Sequence, residues 1–387
     1  MRQHILRGLV IVMLTLGFAN SNVVIADPYE DGQVAFEQGD YASALKLWRP
    51  LAEHGDARIQ NNIGTMSANG WGVARDYGEA VKWYRLAADQ GLADAQYNLG
   101  VMFRDGLGVA QSHDEKLKWY RLAADKGHAG AQHNLGVVFL NGAGVKQDYK
   151  EAVKWFRLAA AQDEPESQFN LGFMYLNGTG VAQDYKEAVK WYQLAAWQGL
   201  AEAQFNLGMS YHDGLGVVQD YAEAMRWFQL AADQADAMAQ YALGVMYNDG
   251  TGVPQDYENA SKWFRLAADQ GYAAAQHNLG VMYDSGQGVL KGHVEAVKWY
   301  RKAADQGNAH AQHNLGVMYF EGQGVSQDNI QAHLWLSLAT AGYSASDTKD
   351  RDLATTVRDR VIARMTPNQI AEAQRLAREW LAAHPTP

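Results

Sequence analysis

Residues 129–164 read AGAQHNLGVVFLNGAGVKQDYKEAVKWFRLAAAQDE, and the fold turns on this stretch. Ala131, Leu135, Val138 and Phe139 fall at i, i+4, i+7 and i+8, which is one face of an amphipathic helix. Gly142 and Gly144 end it. The first supplies the left-handed residue that closes a helix C-terminus, and the second lets the chain reverse within a few residues. Asp148 then reads as an N-cap with Glu151 as its capping-box partner, and Ala152, Trp155, Phe156 and Ala159 form a second apolar stripe. The unit is a helical hairpin.

The hairpin recurs every 36 residues. Trp83, Trp119, Trp155, Trp191, Trp227, Trp263 and Trp299 are each followed by Tyr or Phe, and Trp335 keeps the interval with Leu. Gly64, Gly100, Gly136, Gly172, Gly208, Gly244, Gly280 and Gly316 follow the same step, as do the valines from Val73 to Val325. The cap position runs Asp76, Ser112, Asp148, Asp184, Asp220, Asp256, Gly292 and Asp328. A fixed period of this size means stacked supersecondary units, because one hairpin cannot bury its own apolar face and its neighbours must. Gly136 and its equivalents sit inside the first helix, where glycine costs about 1 kcal/mol against alanine, so close approach of the paired helix is the expected compensation.

Both ends depart from the pattern. Residues 27–56 read as a degenerate leading hairpin, with Asp40 preceding YASALKLWRPLAEH and Trp48 only 35 residues before Trp83. Residues 345–387 hold two helical stretches, the second opened by Thr366, Pro367 and Gln369 as cap, first-turn proline and capping-box partner. Both are expected to cap an array of eight repeats over residues 57–344.

Composition narrows the function. The 387 residues carry 33 basic and 43 acidic side chains, a net charge of −10, which lacks the basic footprint that phosphate backbones require and excludes a nucleic-acid partner. With 48% hydrophobic residues the chain is not of the disordered class. There is no cysteine, so disulfides, thiolate metal sites and thiol catalysis are excluded. Residues 1–26 join Arg2 and Arg7 to an apolar stretch from Gly8 to Ala19 and end Val24-Ile25-Ala26, the shape of a secretory signal cleaved after Ala26. That apolar stretch is well short of the roughly 20 residues a bilayer span needs. The expected location is periplasmic or secreted, without stable membrane insertion after cleavage.

The segments AQHNLGVMYFEGQGVSQD (residues 311–328) and YKEAVKWYQLAAWQG (residues 185–199) resemble Sel1-like repeats, relatives of the tetratricopeptide repeat with a longer loop. The resemblance implies an all-α protein, a right-handed α-solenoid superhelix of 36-residue hairpins. It also implies a scaffold or adaptor for other proteins, with exported bacterial members acting in envelope assembly, signalling or host contact. A cysteine-rich branch of the family is linked to penicillin binding, and this cysteine-free chain departs from it.

No catalytic constellation stands out. Ser43 with Lys46 and Ser346 with Lys349 match Ser-x-x-Lys, but neither Ser-Asp-Asn nor Lys-Thr-Gly accompanies them. His277, His310 and His313 invite a metal site, yet no carboxylate completes a ligand set and groove-lining aromatics are the stronger reading. No cofactor is expected. The informative positions lie two before the leucine of each Leu-Gly pair: Tyr97, His133, Phe169, Phe205, Tyr241, His277 and His313. Beside them run Asn62, Asn98, Asn134, Asn170 and Asn206, then Ala242, then Asn278 and Asn314. In the related tetratricopeptide arrangement this side lines the concave groove, and a like-placed asparagine grips bound peptide. The rings are taken to have no partner within their own hairpin and to suit contacts with an extended peptide. The asparagines equally suit a structural role, tying each helix to its neighbour. The first reading is therefore a non-enzymatic exported scaffold binding a protein or extended peptide. The second is a cell-wall hydrolase or a glycan- or β-lactam-binding protein, for which no paired carboxylates stand out.

Overall fold

The computed structural model describes residues 27–384. Among the described residues there are 20 helices and no strand, and none of the helices is long and apolar enough to cross a membrane. The signal segment read at residues 1–26, with its cleavage site, lies outside the described residues. The chain forms two compact units, residues up to Leu122 and residues from Ala123 onward.

The first unit contains α1 (Pro28–Glu37), α2 (Tyr41–Glu53), α3 (Ala57–Asn69), α4 (Tyr77–Asp89), α5 (Ala93–Asp105) and most of α6 (His113–Asp125). Its leading hairpin corrects one register. Trp48 does not stand for Trp83: its indole covers Gly32 as Tyr84 covers Gly64, and 36 residues separate Trp48 from Tyr84. The buried Ala44, Trp48, Ile59 and Met66 join this hairpin to α3.

The second unit continues with α7 (Ala129–Asn141), α8 (Tyr149–Ala160), α9 (Pro165–Asn177), α10 (Tyr185–Trp197), α11 (Ala201–Asp213), α12 (Tyr221–Asp233) and α13 (Ala237–Asp249). Then come α14 (Tyr257–Asp269), α15 (Ala273–Ser285), α16 (His293–Asp305), α17 (Ala309–Glu321) and α18 (Asn329–Gly342). Two helices outside the repeat follow, α19 (Thr348–Ile362) and α20 (Pro367–Ala383). Odd-numbered helices from α3 to α17 are the first member of each hairpin, helix A, and the next even-numbered helix is its partner, helix B.

The two aromatics of helix B divide the packing. The second packs within its own hairpin: Phe156 is fully buried against Gly136, where a Cβ would lie 2.5 Å from the ring. The tryptophan packs between hairpins. Trp227 of α12 lies in the core formed by Ala188, Tyr192, Ala203 and Leu207 of α10 and α11, and Trp299 does the same two hairpins further on. Helix A ends on a left-handed glycine, such as Gly178 at φ 70°. The second loop glycine is required twice over: Gly180 has φ 73°, and a Cβ there would strike the Tyr149 carbonyl of the preceding hairpin.

At Asp148 the cap forms and the box does not. Its Oδ1 accepts from the Lys150 and Glu151 amides, both at 3.0 Å. Its own amide, however, already donates to the Phe139 carbonyl at 3.0 Å, so Glu151 has no capping donor to reach and instead pairs with Lys154 at 3.0 Å. Thr366 and Gln369, with no helix A behind them, do form the reciprocal pair.

A buried glutamine latches successive hairpins. Gln204 donates from Nε2 to the Ala196 carbonyl of the preceding helix B (3.2 Å), and its Oε1 accepts from the Gln234 amide at the end of its own helix B (2.9 Å). Gln132, Gln168, Gln240 and Gln276 repeat both bonds.

Candidate functional site

The predicted ladder residues all lie on helix A and are all half-buried. They do have partners within their own hairpins, contrary to the sequence reading. Tyr97 stacks on Tyr120 in the first unit with centroids 6.0 Å apart. In the second unit His133 meets Phe156 at 5.7 Å, Phe169 meets Tyr192 at 5.8 Å and Phe205 meets Phe228 at 5.7 Å. Tyr241 meets Phe264 at 5.7 Å and His277 meets Tyr300 at 6.0 Å. The reason is the helix-A glycine: it admits the second aromatic of helix B so closely that the ring one turn earlier is brought against its edge. At His313 the partner position holds Leu336, and the His313 Nδ1 is buried without a protein partner. The rings are thus half platform and half core.

Three of the asparagines, Asn98, Asn278 and Asn314, reach back to the ladder residue of the preceding hairpin. Asn98 donates from Nδ2 to Oδ1 of Asn61 at 3.0 Å, in the first unit. In the second, Asn314 Nδ2 lies 3.2 Å from His277 Nε2, and Asn278 hydrogen-bonds the Tyr241 hydroxyl and His277 Nδ1. Where the preceding ladder residue is the apolar Phe169, Asn206 donates instead to its own helix, at the Glu202 carbonyl (2.7 Å). Asn134 Nδ2 is buried without a protein partner, and Asn62 and Asn170 are half-buried in the same row. The polar pairs fix registry, as any buried amide bridging two elements does.

The row breaks once, at Ala242, which faces Phe205. The missing side chain leaves a cleft of about 300 Å³ walled by Phe205, Met209, Phe228, Tyr241, Met246 and Tyr272. Met238, exposed at 41%, and His212, which bonds Asp213 at 2.6 Å, complete it. The alanine stands out in the sequence, but the methionines and Tyr272 that join it carried no signal of their own, since they come from α11, α13 and the residue that precedes α15.

Burial lowers the pKa of the ladder histidines. That of His277 is pushed down to about 4, against the hydrogen bond that His277 Nδ1 donates to Asn278 Oδ1, which raises it, and those of His133 and His313 move in the same direction. His277 and His310 approach to 5.7 Å, while among the described residues no three His, Cys, Asp or Glu side chains converge as a metal-ligand set. The Ser-x-x-Lys serines are turn and cap residues: Ser43 hydrogen-bonds Asp40, and Ser346 bonds Ser344 and Asp347.

The family model described as Sel1 repeat matches nine stretches: residues 26–56, 58–92, 93–128, 129–164, 165–200, 201–236, 237–272, 273–308 and 309–342. Among solved structures, a Sel1 repeat protein from Oxalobacter formigenes is 35% identical, with 80% of this chain and 97% of that chain covered and a TM-score of 0.59. A protective antigen present in uropathogenic Escherichia coli strains, displaying an SLR fold, is 31% identical over 92% of this chain and 91% of that one, with a TM-score of 0.51. No curated protein matches the chain.

Proposed function

The chain belongs to the Sel1 repeat family, whose members generally serve as scaffolds for protein interactions, and on that footing we propose that it is a non-enzymatic, exported scaffold. It binds a protein or extended peptide along the helix-A ladder, with one apolar anchor side chain seated in the cleft beside Ala242. The single observation that carries this reading is the break in the asparagine row. Every other repeat has an asparagine at this position, and here an apolar cleft lined by the rings of Phe205, Phe228, Tyr241 and Tyr272 and by adaptable methionines takes its place. Export rests on the signal-like shape of residues 1–26.

Because the ladder rings support their own hairpins, truncating them would confuse binding with folding. Ala242→Asn restores the residue of the other repeats and narrows the cleft without removing a core contact. A partner recovered from envelope extract is expected to bind this variant about tenfold more weakly by calorimetry, an anchor's worth of contact, with the melting temperature held. Unchanged affinity, with binding lost instead in Trp197→Ala on α10, would put the contact elsewhere and overturn the reading. Turnover of peptidoglycan fragments or a chromogenic β-lactam by the purified chain would overturn its non-enzymatic part.

A further inference from the structure

The glutamine latch is complete at Gln60, Gln132, Gln168, Gln204, Gln240 and Gln276, and its oxygen is left open at Gln96, where residue 126 is lysine, and in the last hairpin at Gln312. Gln312 keeps its first bond, from Nε2 to the Ala304 carbonyl at 3.1 Å, and is 2% exposed. Thirty residues on, where Gln306 serves Gln276, the chain has Gly342. Gln312 Oε1 is consequently buried with no protein donor, and it lies 3.7 Å from where a Cβ of residue 342 would stand. Beside it is a cavity of about 320 Å³ between the end of α18 and α20, lined by Gln312, Gly342, Leu338, Trp380 and Leu381. His384 lines it too and stacks on Trp380 with centroids 4.2 Å apart, and Asp305, Gln306, Gly307 and Ala341 complete the wall.

A buried acceptor beside an apolar cavity selects ligands by what they donate, because a ligand without a donor leaves the carbonyl unpaired. In the two preceding hairpins the same oxygen receives a carboxamide N–H. We propose that this cavity is a binding site for a primary carboxamide on a small aromatic or apolar body. Its N–H donates to Gln312 Oε1, and its body lies against Trp380, Leu338 and Leu381. The site is separate from the Ala242 cleft and does not depend on the scaffold reading.

The test follows the Trp380 indole N–H signal by NMR, assigned with Trp380→Phe, while benzamide, methyl benzoate or benzylamine is titrated into the full chain. Benzamide is expected to shift the signal, with methyl benzoate about tenfold weaker for want of the donor. Equal binding of the two, or no binding of benzamide, overturns the proposal, and tighter binding of benzylamine replaces it with cation recognition at Asp305. Glycyl-glutaminyl-glycine run beside benzamide distinguishes a polypeptide side chain from a free amide as the source. Gly342→Gln places only ordinary contacts at its Cβ, the nearest being Ala309 at 3.4 Å. It is expected to supply the donor from within, raise the melting temperature and abolish the benzamide shift; a variant that still binds benzamide like the wild type overturns the assignment. The benzamide and methyl benzoate comparison needs no variant and stands if Gly342→Gln misfolds.

Discussion

A glycine in the middle of a helix ordinarily invites replacement, since alanine there gains about 1 kcal/mol. Gly172 reverses that sign, because its Cβ would lie 2.6 Å from the Tyr192 ring, which is fully buried and cannot withdraw. Gly172→Ala should therefore destabilise the chain by about 1 to 3 kcal/mol, the usual cost of overpacking, as read from urea unfolding. A rise in stability would mean that Tyr192 swings away freely. The glycine and the need for a close neighbour are legible in residues 165–197, but the identity of that neighbour is not. Two adjacent aromatics stand at the same period, and only the orientation of helix B decides that Tyr192 packs inside the hairpin while the tryptophan packs outside it.

Between elements, the latch holds registry. Gln204 sits in an otherwise apolar junction of α10, α11 and α12, where one side chain satisfies a helix-end carbonyl and a second amide at once. Gln204→Met keeps the shape and removes both bonds, leaving the Ala196 carbonyl and the Gln234 amide to find water. The expected cost is about 1 to 3 kcal/mol, with faster amide hydrogen exchange concentrated in those three helices. Uniform acceleration along the chain would argue against a local latch. The 36-residue spacing of these glutamines is visible in the sequence, yet a polar residue on a helix face reads as solvent-facing until the neighbouring hairpin is placed over it. The Asp148 box failed for the same reason: the donor it required was already taken by a carbonyl of α7.

Across the molecule, four histidines have pKa values lowered by burial: His133, His277, His313 and His333. In the unfolded chain each titrates near the ordinary 6.5, so as the pH falls below that value the unfolded state takes up protons that the folded state refuses. Stability should therefore be flat above neutrality and decline from about pH 6.5 toward pH 4, the value to which His277 is lowered. His277→Asn tests the largest share. The equivalent place in the first repeat is Asn61, which accepts from Asn98 as His277 meets Asn314, so the variant keeps the acceptor and loses the titration. Its melting temperature should match the wild type at pH 8 and fall less between pH 6.5 and 4; an unchanged acid slope would show that His277 is protonated in the folded chain.

The sequence by itself determined the all-helical repeat, its 36-residue period, the hairpin with its glycine stop and aspartate cap, and the array to which they belong. These are local or periodic properties, carried by spacing along one chain and needing no knowledge of what lies opposite. The tertiary structure decided the rest. Trp48 aligns with Tyr84 because both cover a glycine, the ladder rings lean on their own hairpins because that glycine lets helix B in, and Ala242 becomes a cleft because the side chain it lacks would have met Phe205. Each depends on a contact between positions on different helices, and a linear pattern does not specify which of several equivalent side chains will fill a given space.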